Sequence, residues 1–191
     1  FTKFSDTSRL SDNNVSALAF DRNARLWVGT FRNGIDVFSQ SGKKLKHLES
    51  ETVREINFLV QNAENKEILA ATSGGAARLD ANFKESFVAE NADLPSRSVT
   101  QIFVFEKDKN QISAVSTAKG LVVKDKAARR VFSTVNGLPA NSVFSVAFHR
   151  SALFAGTMSG LAQIETGRVA RVFKTSNSGL KNKWVSALCA V

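Results

Sequence analysis

Four times in this 191-residue chain a short apolar run is followed by a tight turn and the start of a second apolar run. The fullest version is Arg25-Leu26-Trp27-Val28-Gly29-Thr30, followed by Phe31-Arg32-Asn33-Gly34-Ile35. It returns as Leu153-Phe154-Ala155-Gly156-Thr157-Met158-Ser159-Gly160-Leu161, and in worn form as Ile68-Leu69-Ala70-Ala71-Thr72-Ser73-Gly74-Gly75-Ala76 and Ile112-Ser113-Ala114-Val115-Ser116-Thr117-Ala118-Lys119-Gly120-Leu121. The valines taken to open the preceding strand, Val15, Val53, Val99, Val143 and Val185, are spaced by 38, 46, 44 and 42 residues. A unit of that size cannot bury both its faces alone, so it must stack on its neighbours. Helical repeats would show apolar residues at 3.6 spacing over ten or more positions, and no such window is present.

One unit can be written out. Val15 to Phe20 is the first strand, Asp21-Arg22-Asn23-Ala24 a turn, and Arg25 to Thr30 the second strand. Asn33-Gly34 turns the chain into a third strand, Ile35 to Phe38, and Ser41-Gly42 into a fourth, Lys43 to Leu48, whose basic character suits an outer edge. The expected fold is therefore an all-β propeller of four-stranded antiparallel blades, at approximately residues 13–48, 51–90, 97–135 and 141–175. Residues 1–6 are expected to be the outer strand of a preceding blade, and 183–191 the inner strand of a following one. An open arc leaves two apolar faces without neighbours, so the expected whole is a larger ring, or else a ring completed by two copies. The positions expected to be structural are Trp27, Gly29, Gly34, Gly120, Gly156 and Gly160, with Gly34, Gly120 and Gly160 in turns that demand a positive φ.

From Asn13 to Thr30, with Asn33-Gly34-Ile35 after it, the sequence resembles the two-component regulator propeller repeat. Asn136 to Phe148, followed by Phe154 to Leu161, resembles a second copy. The middle two units depart from it, with Leu69-Ala70-Ala71-Thr72 and Ala114-Val115-Ser116-Thr117 in place of Trp27-Val28-Gly29-Thr30. The resemblance implies a seven-bladed ring, in a periplasmic or other extracytoplasmic sensory region of a bacterial signalling protein or in a free-standing propeller. The repeat is structural and brings no catalytic residue with it.

The residues themselves point away from catalysis. His47 and His149 lack an adjacent carboxylate pair and read as surface or turn histidines. Met158 stands where a nucleophile elbow needs serine. Asp108-Lys109-Asn110 lacks the glycine and the later glutamate of a calcium loop. A single cysteine, Cys189, excludes an internal disulfide and any multi-cysteine metal site, and its apolar setting predicts a buried thiol. The reading is of a protein that is not an enzyme and needs no metal or cofactor, without an apolar stretch of 18 residues that would suit a membrane helix.

Binding is the better-supported class. The loops that enter each first strand, and the second-to-third turns, share the channel face of a propeller. They carry Arg32, Asn33, Arg97, Lys119, Asn141, Lys181, Lys183 and Trp184. Basic residues dominate there and no acidic one intervenes, which favours an anionic ligand. The net charge of +9, from 26 basic and 17 acidic side chains, agrees, although basic edge strands account for part of it. The expected function is a non-catalytic ligand- or partner-binding module. Two alternatives stand beside it: a propeller lyase or hydrolase with its catalytic residues in other blades, and a protein scaffold using the basic run from Lys124 to Arg130. Nucleic acid is disfavoured because that run has no interleaved aromatic side chain.

Overall fold

The structure is a computed structural model that describes residues 10–107 and 110–190, apart from the side chains of Ala89, Glu90 and Lys107. Four sheets follow one another, each a meander of four strands in sequence order. The first holds β1 (Val15–Phe20), β2 (Leu26–Thr30), β3 (Ile35–Phe38) and β4 (Lys44–Leu48), and the second β5 (Ile56–Gln61), β6 (Ile68–Thr72), β7 (Gly75–Leu79) and β8 (Glu85–Phe87). The third holds β9 (Val99–Lys107), β10 (Asn110–Thr117), β11 (Gly120–Lys124) and β12 (Arg129–Phe132), and the fourth β13 (Val143–His149), β14 (Ala152–Thr157), β15 (Gly160–Glu165) and β16 (Arg168–Phe173). Burial follows position within a sheet. All five residues of β6 are buried, while β4 exposes Leu45 and Lys46 and buries only Leu48, as an outer edge strand should.

The period is more regular than the valines suggest. The first strands open at residues 15, 56, 99 and 143, spaced by 41, 43 and 44. Val53, expected to open the second unit, lies three residues ahead of β5, where its N–H donates to the Ser50 carbonyl at 3.2 Å and its side chain is fully buried. It is an anchor beneath the incoming turn, and its burial mimics that of a strand residue. Leu48, expected to end the fourth strand, closes β4 opposite Ile35.

Two expectations concern the ends of the sequence. The strand predicted at residues 1–6 lies outside the described residues. Residues 184–190 form no strand, because a strand requires a ladder partner and none pairs with them among the described residues. Cys189 is exposed there, not buried, for the same reason.

The chain divides into two compact units, one made of the residues up to Ala92 with Arg97–Ile102, the other of Asp93–Ser96 with the residues from Phe103 onward. Each has its own core, formed where one sheet lies on the next. In the first unit Trp27, Ile35, Val37, Ile56, Leu59 and Leu79 pack together, with Ala17, Ala19 and Phe83 against them. In the second, Leu121, Phe132, Val143, Val146, Leu153 and Ile164 do so, with Phe103, Phe105, Val123 and Phe148 alongside.

Two devices hold the sheets of the first unit together. A bulge between Val15 and Ala17 frees Ser16, whose hydroxyl donates to the Ile56 carbonyl at 2.5 Å. A bulge between Ile56 and Phe58 frees Asn57, whose amide donates to the Val99 carbonyl at 2.7 Å. The second device is the small residue in the second strand. A Cβ on Gly29 would stand 2.5 Å from the Ile56 side chain, so glycine is what lets the next sheet close.

Trp27, 1% exposed, is fixed by chemistry as well as packing. Its indole N–H donates to Asp21 Oδ2 at 2.9 Å, and Arg25 Nε reaches the same oxygen at 2.6 Å. The backbone N–H groups of Asn23 and Arg25 donate to Asp21 Oδ1. Burial alone would raise the Asp21 pKa, but these hydrogen bonds from Trp27, Arg25 and Asn23 outweigh it and hold the carboxyl below its ordinary range.

Candidate functional site

A threonine closes the second-to-third turn in all four sheets, four residues ahead of the turn glycine in the first and three ahead in the others. The last residue of each second strand is a buried threonine, namely Thr30, Thr72, Thr117 or Thr157. Its hydroxyl donates to the carbonyl of the turn glycine, Gly34 at 2.9 Å and Gly75, Gly120 and Gly160 at 2.8 Å. The same oxygen accepts the backbone N–H of Asn33, Gly74, Lys119 or Ser159 at 3.0–3.1 Å. Each turn is thus closed by one side chain that uses both its donor and its acceptor. The four threonines were visible in the repeat, but nothing in a strand-favouring residue type announces this second role.

On that fixed backbone the candidate ligand-binding side chains divide into two kinds. In the first unit Arg32 and Arg97 are exposed. Asn33 is half-buried, and its amide donates to the Ser11 carbonyl at 2.9 Å, so it fastens the approach loop. In the second unit Lys119, Lys181 and Lys183 are exposed. Trp184 is 56% exposed, its ring 5.4 Å from that of Phe144. Asn141 accepts the Thr134 N–H at 2.8 Å and fixes the turn before β13. The two asparagines therefore bond main chain, whereas Arg32, Arg97, Lys119, Lys181, Lys183 and Trp184 are exposed.

A polar cluster in the first unit escaped the sequence reading. Asp36, on β3, is fully buried, and its carboxylate accepts the Ser11 N–H at 2.6 Å and the Ser11 hydroxyl at 2.7 Å. Lys44 Nζ lies 2.7 Å and His47 Nδ1 2.8 Å from Asp36 Oδ1. His47 is thus part of a network and not a solitary surface histidine. Burial pushes the Asp36 carboxyl up, but Lys44, both Ser11 donors and His47 together bring it below the usual carboxylate range. A serine, a histidine and an aspartate meet here without forming a nucleophilic relay. Ser11 Oγ, 2.9 Å away, and Asp36 both face Nδ1, whereas a relay needs them on opposite ring nitrogens. The cluster ties residues before β1 to the outer half of the first sheet.

The Trp27–Asp21 contact and the threonine-closed turn both fall in or beside the best-formed repeat. Residues 9–32 match the two component regulator propeller family. The solved structures most like this propeller include the extracellular domain assigned to the hybrid two component system BT3049 from B. thetaiotaomicron, at 24% identity and a TM-score of 0.73 over 93% of this chain and 24% of that one. The corresponding domain of BT4673 from B. thetaiotaomicron matches at 19% identity and a TM-score of 0.67 over 91% of this chain and 24% of that one. The Cps50 (Swd1) β-propeller domain of Myceliophteria thermophila matches at 15% identity and 0.60, over 88% and 57%. The chain spans about a quarter of the length of the two bacterial domains. These likenesses show the propeller fold. A comparison with the curated proteins gives no match. Among the described residues no helix is long and apolar enough to cross a membrane.

Proposed function

We propose that this propeller is a non-catalytic binding module, the sensory part of a bacterial signalling protein, working outside the cytoplasm as a segment of a larger ring. The observation that carries the reading is the threonine-closed turn, which holds the backbone rigidly while Arg32 and Lys119 project from it exposed. Loops on a rigid scaffold are where binding side chains are commonly placed. The two similar bacterial structures, extracellular domains of two component systems, support the sensory and extracytoplasmic setting.

Support for a following blade comes from Val185. Its carbonyl oxygen and Cγ1 would stand 2.7 and 2.9 Å from a Cβ on Gly156, as Ile56 stands against Gly29, and its N–H donates to the Thr157 carbonyl at 2.9 Å. We assign the ligand contacts to Arg32 and Arg97 on the first unit and to Lys119, Lys181, Lys183 and Trp184 on the second. The ligand class is anionic, since on each unit taken by itself the exposed loop side chains of this set that carry charge are cations. The test is titration with a heparin hexasaccharide and a neutral oligosaccharide of equal length at two salt concentrations. The acidic sugar should bind and the neutral one should not, and Lys119→Gln with Lys181→Gln and Lys183→Gln should weaken binding at least tenfold. Equal binding of both sugars, or an unaffected triple variant, would refute the assignment.

A further inference from the structure

The two units treat the same inter-sheet space in different ways. In the first unit, the end of the sheets opposite the threonine-closed turns is filled. Trp27 pairs with Val37 across β2 and β3, its ring lies 5.6 Å from Phe83, and the Arg25 guanidinium sits 4.7 Å over Phe83. The space left there is about 10 Å³.

In the second unit the equivalent second-strand position is Ala114, three residues before Thr117 as Trp27 is three before Thr30, and it pairs with Val123. The third-to-fourth turn of the adjoining sheet is Thr166-Gly167, with no aromatic residue to match Phe83. A cavity of about 450 Å³ opens there. Its wall includes Ile112, Leu153 and Ile164, which correspond in register to Arg25, Ile68 and Leu79 around Trp27. Phe105 and Phe148, stacked at 4.3 Å, replace part of the lost aromatic bulk but leave the cavity open. Its size falls in the range of small-molecule sites, and its lining is mostly apolar with a polar margin.

The margin is charged. Arg130 and Lys126 stand at it with Asp125. Asp125 Oδ1 is taken by the backbone N–H groups of Ala127 at 2.8 Å and Ala128 at 2.7 Å, and Arg130 is 3.5 Å from its other oxygen. The Arg130 side chain also lies across Gly167, where a Cβ would come within 2.7 Å of its Nε. Glycine thereby holds the guanidinium between two sheets at the cavity mouth. Two cations against one carboxylate already bonded to its own turn leave a net preference for an anion.

We propose that this cavity binds a small planar aromatic carboxylate, whose ring takes the place that Trp27 and Phe83 fill in the first unit and whose carboxylate meets Arg130 and Lys126. The site lies at the other end of the strands from Lys119 and does not rest on the function proposed above.

Calorimetric titration of the full chain with indole-3-acetate, and with 3-methylindole as the neutral counterpart, tests it. Saturable one-to-one binding of indole-3-acetate is expected. Val123→Phe, which fills the cavity from its wall, should weaken it at least tenfold. Where that variant fails to fold by circular dichroism, Ser151→Phe on the exposed margin should do the same. Arg130→Gln should weaken indole-3-acetate at least fivefold while changing 3-methylindole by less than twofold. Absence of saturable binding at millimolar concentration, a folded filling variant within twofold of the parent, or an equal loss for both ligands in Arg130→Gln would overturn the proposal.

Discussion

Replacing Gly34 by alanine would place a methyl group 2.0 Å from the carbonyl oxygen of Leu48, at a residue whose φ is +70°. An L-residue in that conformation costs about 1 kcal/mol. The collision is with main chain, so relief cannot come from a side-chain rotation. It must separate Leu48 from Ile35, the last register pair of β3 and β4, both of them buried. Opening that pair would give up one or two hydrogen bonds at about 1 kcal/mol each. The expected destabilisation is about 2–3 kcal/mol. Gly74 supplies the control, since a Cβ there meets nothing closer than 3.7 Å and no left-handed φ is required. Gly74→Ala should therefore stay within about 0.5 kcal/mol of the parent. Urea unfolding followed by circular dichroism gives both values under one set of conditions. A cost below about 1 kcal/mol for Gly34→Ala, or equal costs for the two variants, would refute the reasoning that the turn, and not glycine content in general, demands the residue.

Two further outcomes follow from the polar devices. The Asp36 carboxyl is depressed in the folded state, so its contribution is present above the unfolded value of about 3.9 and is lost as pH falls through the lower folded value. Asp36→Asn should cost about 2–3 kcal/mol at neutral pH, with the gap to the parent shrinking below about pH 4; a gap constant from pH 7 to pH 3 in denaturation midpoints would contradict it. Thr157→Val keeps the shape but removes the donor to Gly160 and the acceptor of the Ser159 N–H, for an expected loss of about 1–2 kcal/mol. Thermal melts of that variant should show a lowered midpoint, and an unchanged one would mean that the hydroxyl does not close the turn.

The architecture was legible because burial repeats along the chain, and a repeat near 40 residues with glycine turns has few ways to bury itself. The failures came where one residue can satisfy a pattern for another reason. Val53 is apolar, buried and almost in register, yet it anchors a turn ahead of the strand. The backbone groups that the Asn33 and Asn141 side chains bond are brought near only by folding, so those bonds were not readable from the residue types. The cluster around Asp36 joins residues 11, 36, 44 and 47, whose meeting depends on strand register and on the path of the approach loop. The replacement of Trp27 by Ala114 was readable from the repeats alone. That a cavity stays open between these two sheets was not, because Phe103, Phe105 or Phe148 could have filled the space equally well from the first strands.

The bonds made by Ser16 and Asn57 end on main-chain carbonyls, Ile56 and Val99, and not on side chains. A joint of that kind asks nothing of the identity of its acceptor. A sheet copied and inserted by gene duplication would find its fastening oxygen already present on whatever neighbour it met, and the donor could change from serine to asparagine without a matching change across the joint. Lineages that build by adding sheets could therefore alter their number before the new surfaces had adapted to one another, leaving side-chain fit to be refined afterwards.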